Sequence, residues 1–186
     1  MTEAEIAERY NSLSAHRREH CERVAEVMAR LAERHGLDRR AAYWAAHGHD
    51  LAREMTRPGL LGEAERWGIA VDPTARQEPI LLHGPVAAAW LESAGLGTPE
   101  VWDAIRYHTT GNVGLSPLGK ALFVADGVEP GRRYGERAEL AAYAETDLDG
   151  AYSRLLAHTA AYLRVRGLAP HPLLLAALQE SAVPGH

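Results

Sequence analysis

The feature that most constrains this chain is a conflict between residues 41 and 54, which read AAYWAAHGHDLARE. Alanine, leucine and aromatic residues dominate the stretch, as in a helix made to be buried. Yet it carries His47, His49 and Asp50. An ionised carboxylate in an apolar interior is costly unless it is paired or bound to a metal. Any fold built on this helix has to satisfy Asp50.

The neighbouring segments follow a helical pattern. Leu13, Val24, Val27, Met28 and Leu31 recur at three- and four-residue spacing and trace one face of a helix over residues 12–35. Gly36 stands where a C-cap glycine would end it. Asp38 can cap the next helix, predicted to run to Met55. Arg57-Pro58-Gly59 breaks that helix, and residues 60–68 read as a short one. Residues 69–79 read as a loop. Further helices are predicted from His83 to Ala94 and over 99–108. Another opens at Ser116-Pro117, carries Lys120 and Asp126, and is interrupted at Pro130-Gly131. Two more cover 146–166 and 172–181. No alternating strand pattern or internal repeat is present. The expectation is an all-α chain forming a single domain over residues 1–186.

Composition narrows the function. A net charge of −5 argues against dedicated nucleic-acid binding. One cysteine, Cys21, rules out an intrachain disulfide framework. The N-terminal MTEAEIAERY is no signal peptide, and no apolar run reaches the length of a membrane span. A cytoplasmic location is expected.

The chain has ten histidines. His20, His49, His83 and His108 fall in predicted helices or at their ends among apolar residues, as do Asp50 and Asp126. Along the chain the order is H…HD…H…H…D. An adjacent His-Asp pair offers imidazole nitrogen and carboxylate oxygen to one ion, and a carboxylate can bridge two. Imidazole and carboxylate without thiolate suit iron, manganese, zinc or nickel. His16, one turn before His20, is the best decoy. His47 falls on the other side of its helix, and His35, His158, His171 and His186 stand at ends or in the tail, with no catalytic role expected.

The stretches RREHCERVAEVMARLAERHGLD, HDLARE, EPILLHGPVAA, AIRYHTTG and LGKALFVADGVEPGRR, in that order over about residues 17–134, resemble the HD-domain metal-dependent phosphohydrolases. Among these the resemblance is to the YqeK-type symmetrical bis(5′-nucleosyl)-tetraphosphatases. The RYHTTG and VAD–EPGR elements are more specific than HD itself, and the C-terminal helices, about 140–181, add little. The resemblance implies a helical bundle with a two-metal site, usually iron, with manganese, zinc, nickel or cobalt as alternatives. Carried onto this chain, His20, His49, Asp50 and Asp126 would hold one ion. His83 and His108 would hold the other, with Asp50 bridging. The HD pair, His49 and Asp50, would be catalytic. Arg53 takes the place of the family's lysine after HD. It joins Lys120, Arg132 and Arg133 as phosphate candidates, with Thr109, Thr110 and Gly111 offering hydroxyls and backbone N–H groups. Three departures stand out: His47-Gly48 before HD, Gly119 before Lys120, and Gly127 where an aromatic is common, which puts base stacking in question.

The implied activity is hydrolysis of diadenosine tetraphosphate into two ADP by a hydroxide that two metals activate. The implied partner is a dinucleoside polyphosphate, and a homodimer is one assembly open to the chain. Two alternatives remain: an HD phosphohydrolase acting on another nucleotide, and a nucleotide-sensing or metal-binding module without turnover. No Walker-type glycine loop is present, which argues against an ATPase motor.

Overall fold

Most helix starts in this chain are set by single side chains. Thr2, Ser14, Asp38, Thr56, Thr98, Ser116 and Asp147 each accept a backbone N–H from the first turn of the following helix. Those N–H groups have no intrahelical partner and need one. The computed structural model describes residues 1–182; His186 lies outside them. Among the described residues the caps and prolines set out α1 (Glu3–Ser12), α2 (Ala15–His35), α3 (Arg39–Gly48), α4 (Arg57–Arg66), α5 (Pro73–Gln77), a 3-10 turn (Pro79–Leu82), α6 (His83–Ser93), α7 (Pro99–Tyr107), α8 (Pro117–Val128), α9 (Arg137–Ala144), α10 (Leu148–Val165) and α11 (Pro172–Ser181). These residues contain no strand, and no helix is long and apolar enough to cross a membrane.

Helix α8 is the central post. Its Leu118, Ala121, Leu122, Phe123, Val124, Ala125 and Val128 are all buried. Helices α2, α7, α9 and α10 pack around it, α3 lies against α2 and α7, and α6 covers α7. Each large apolar side chain so buried contributes roughly 1.5–3 kcal/mol. Met28, Leu31, Trp90, Leu91, Ile105 and Leu122 belong to one contiguous core.

Several boundaries differ from the sequence reading. The helix expected from Asp38 to Met55 stops at Gly48, and residues 49–55 are turns closed by Leu51 N–H to Gly48 O and Arg53 N–H to Asp50 O. Gly48 sits so close to α6 and α7 that a Cβ there would fall 2.5 Å from Leu91 and 2.9 Å from Ile105. Arg57-Pro58-Gly59 opens α4 as well as ending what precedes it, because Thr56 caps it and proline suits a first turn. The loop at 69–79 contains α5, capped by Asp72. Helices α1 and α9 are additional to the sequence reading. The reciprocal Thr2–Glu5 capping box was a readable signal for α1.

Candidate metal centre

The six histidines and aspartates singled out from the sequence come from five places in the bundle. His20 lies in α2, His49 and Asp50 at the end of α3, His83 at the start of α6, His108 just past α7, and Asp126 in α8. Helix α3 ending at Gly48 matters here. It lets His49 and Asp50, adjacent in sequence, turn into one spot instead of diverging around a helix.

His20, His49, Asp50, His83 and His108 are each at most 4% exposed, so whatever satisfies them must come from within the site. Asp50 Oδ2 faces one pair of imidazoles, at 3.6 Å from His20 Nε2 and 3.5 Å from His49 Nε2. Asp50 Oδ1 faces the other, at 3.3 Å from His83 Nε2 and 3.9 Å from His108 Nε2. The result is two triads that share Asp50, each compact enough to hold a metal ion. Asp126 stands beside the first triad, its Oδ1 3.2 Å from His20 Nε2.

Hydrogen bonding fixes which nitrogen each ring offers. His49 Nδ1 lies 2.7 Å from the Ala46 carbonyl and His108 Nδ1 2.7 Å from the Ile105 carbonyl, and His83 Nδ1 meets the Ile80 carbonyl. A carbonyl only accepts, so Nδ1 carries the proton in all three rings. His20 Nδ1 lies 3.2 Å from the carboxylate of buried Glu129. Burial pushes the His108 ring down to about 3 and lowers His49 as well. His49 and His108 are therefore neutral near pH 7, with their Nε2 lone pairs directed inward. His83 and His108 Nε2 are 3.0 Å apart and His20 and His49 Nε2 3.3 Å apart. These paired nitrogens and the carboxylate between them form a donor set suited to divalent ions. Such carbonyl and carboxylate partners are what orients histidine around a divalent metal.

Residues 17–131 match the model of the HD domain. The chain belongs to the HD-domain family. The HD domain of this chain also has relatives across most of its length. It is 34% identical over 152 residues to a Bacillus subtilis protein named bis(5′-nucleosyl)-tetraphosphatase, symmetrical, covering 81% of each chain. A Halalkalibacterium halodurans protein of the same name is 32% identical over 170 residues, covering 88% of each. A Clostridium acetobutylicum crystal structure described as a predicted HD superfamily hydrolase involved in NAD metabolism superposes with a TM-score of 0.90 at 26% identity, over 97% of each chain.

The phosphate candidates divide around this HD-domain site. Arg132 donates to Asp126 twice, to the carboxylate and to the backbone carbonyl. Burial raises the Asp126 carboxyl, but the His20 hydrogen bond and Arg132 outweigh it and hold the group far below the usual range. Arg132 and Arg133 line a hollow of about 400 Å³ together with His108, Thr109 and Asp126 and with Phe123, Tyr134, His158 and Tyr162. Thr109 Oγ1 is 3.2 Å from His108 Nε2.

The other candidates lie elsewhere. Gly111 is buried with its N–H bonded to Tyr107 O, and Thr110 is buried with its hydroxyl bonded to Gly111 O. The positive φ of Gly111, 64°, serves the turn that ends α7. Lys120 bonds Asp149 at 2.7 Å in a separate hollow with Asp147, Arg154 and Glu180. Arg53 is on the turn after Asp50 rather than on a helix face, and its partner is not Glu54, whose carboxylate bonds Ser14 instead. Of the decoys, His16 is exposed, His47 bonds Tyr43 O, His35 bonds Ala144 O and His171 caps α11. His158 is in the hollow, its ring 4.6 Å from that of Tyr134.

The sequence reading missed two residues of the site. Glu129 is 2% exposed and receives bonds from Arg23 Nε at 2.5 Å and Gly131 N–H at 2.6 Å in addition to its contact with His20. Arg17 donates to Asp50 Oδ2 at 2.7 Å. Glu129 follows Asp126 by three residues and Arg17 precedes His20 by three, and that helical spacing was the available signal.

Proposed function

We infer that this chain is a divalent-metal-dependent phosphoanhydride hydrolase that splits diadenosine tetraphosphate symmetrically into two ADP. The observation that carries the reading is the sharing of Asp50. One buried carboxylate turns one oxygen to His20 and His49 and the other to His83 and His108. The relatives named as symmetrical tetraphosphatases supply the substrate.

In this proposal His20, His49, Asp50 and Asp126 hold one ion, and Asp50, His83 and His108 hold the second. His49 and Asp50 are the catalytic pair because they tie both positions to one short turn. The donors suit iron, the proposed metal, and also manganese, zinc, nickel or cobalt. When bound, the metals activate water near neutral pH and draw charge from the phosphoryl oxygens.

The chain's own residues do the rest. Arg132 and Arg133 stand at the mouth and receive phosphate oxygens, and the Thr109 hydroxyl donates to an oxygen beside His108. The aromatic walls of the hollow take a nucleobase. They replace the ring that Gly127 lacks, because Leu155 fills the space in front of Gly127. Symmetrical cleavage requires attack at an inner phosphorus with ADP leaving, so the polyphosphate is held with its midpoint over Asp50.

Protein purified without oxygen, analysed for metal and incubated with diadenosine tetraphosphate, should yield ADP alone by chromatography. AMP and ATP in equal amounts would refute the symmetrical cut. Intact nucleotide retained on metal-loaded protein would refute hydrolysis.

A further inference from the structure

The cluster around Asp50 has a charge balance of its own. Its three carboxylates each have one arginine: Arg17 on Asp50, Arg132 on Asp126 and Arg23 on Glu129. A metal ion held at this cluster would compete with Arg17 for Asp50.

Arg17 is the arginine best placed to respond. It points inward, whereas its neighbour Arg18 turns away to the carbonyls of Asn11 and Leu13. Its terminal nitrogen bonds the same oxygen, Asp50 Oδ2, that faces His20 and His49. Its Nε is buried with no hydrogen-bond partner among the described residues. The fork is half used, since a guanidinium that serves a carboxylate fully does so through two parallel bonds. The backbone beneath it is fixed, because Ser14 at the start of α2 bonds Glu54 through both its N–H and its hydroxyl, at 2.8 and 2.5 Å.

We propose that Arg17 is a phosphate-binding residue that competes with metal for Asp50 Oδ2 and passes to a phosphate of the nucleotide once metal has taken Asp50. The proposal rests on the reading of this site as one for a polyphosphate. It makes Arg17 a competitor of metal and a partner of substrate, and a purely structural arginine would be neither.

The two roles give opposite signs in one variant. Arg17→Ala in the full-length chain removes a cation from Asp50, so Mn²⁺ measured by chelator competition should bind about tenfold tighter or more, as the Coulomb term at contact distance implies. ADP binding to the Mn²⁺-loaded protein, followed by calorimetry, should weaken about ten- to a hundredfold through loss of a charge-assisted bond. Arg17→Gln still donates to Asp50 and should show both signs if the alanine variant does not fold. Mn²⁺ binding that is unchanged or weaker overturns the proposal, as does ADP affinity equal to wild type. Wild-type protein that binds Mn²⁺ but no ADP would sink the polyphosphate reading and this inference together. Wild-type ADP binding that both variants share sinks this inference alone.

Discussion

Glu129 touches no proposed substrate, yet removing it should cost both stability and metal. It is buried and receives three N–H groups, from Arg23, Gly131 and His20. The Arg23 side chain is 28% exposed, so in Glu129→Ala its guanidinium regains water and its share is discounted. Gly131 is exposed and its N–H regains water likewise, so only the buried His20 donor has no such outlet. A buried donor left unpaired costs about 1–3 kcal/mol, which the alanine variant should lose. For a chain of this size that corresponds to a fall in Tm of roughly 2–12 °C. The His20 ring also loses the group that orients it, and loss of such a partner typically lowers metal affinity about 10- to 100-fold. Glu129→Gln keeps an acceptor for Gly131 and loses the charge, so it should melt closer to wild type while still binding metal about tenfold more weakly. Differential scanning calorimetry of the metal-free proteins and chelator competition with Mn²⁺ read the two effects separately. Unchanged metal affinity in the alanine variant would refute the role of Glu129 in setting His20.

Asp50→Ala should empty both metal positions and abolish hydrolysis, whereas His16→Ala should leave metal content and rate unchanged; equal behaviour in elemental analysis would undo the division between ligand and decoy. Arg132→Ala should lower kcat/KM by about ten- to a hundredfold with metal content unchanged, and full activity would remove it from the phosphate site. Tyr134→Ala should raise KM for diadenosine tetraphosphate while leaving cleavage of inorganic tripolyphosphate, if any, unaltered; equal effects on both would exclude base stacking. Gly84→Ala places a Cβ 2.7 Å from the Ile105 carbonyl, the acceptor of His108 Nδ1–H. It should cost about 1–3 kcal/mol by overpacking and weaken metal binding, and a wild-type melting curve with wild-type metal affinity would contradict this.

What the sequence disclosed followed from how unusual each residue was in its setting. His49 and Asp50 among alanines, and His108 at the end of an amphipathic helix, are odd enough to point to a shared site. The structure gathers all six marked residues at one place. Arg17 and Glu129 are ordinary residue types on an apparently solvated face, and only tertiary burial gives them a role. Helix α3 could not be ended correctly from local pattern, because Gly48 is required by Leu91 and Ile105, residues distant in sequence. Lys120 shows another limit of local pattern: its pairing with Asp149 on α10, in a hollow of its own, is a tertiary contact that no motif discloses.

The two halves of the metal centre are anchored differently. His49, His83 and His108 take their orientation from carbonyls three residues back, within their own turns. His20 takes its orientation from Glu129, 109 residues away. Local tethers survive loosening of the bundle, and a long-range tether does not. Gentle heating or dilute chelator is therefore expected to strip the ion near His20 first and leave the one near His83 and His108 in place. The metal inventory of a purified sample would then be a record of its thermal history. A preparation with one ion per chain would be a folded, dormant form, restored by returning the missing metal without any refolding step.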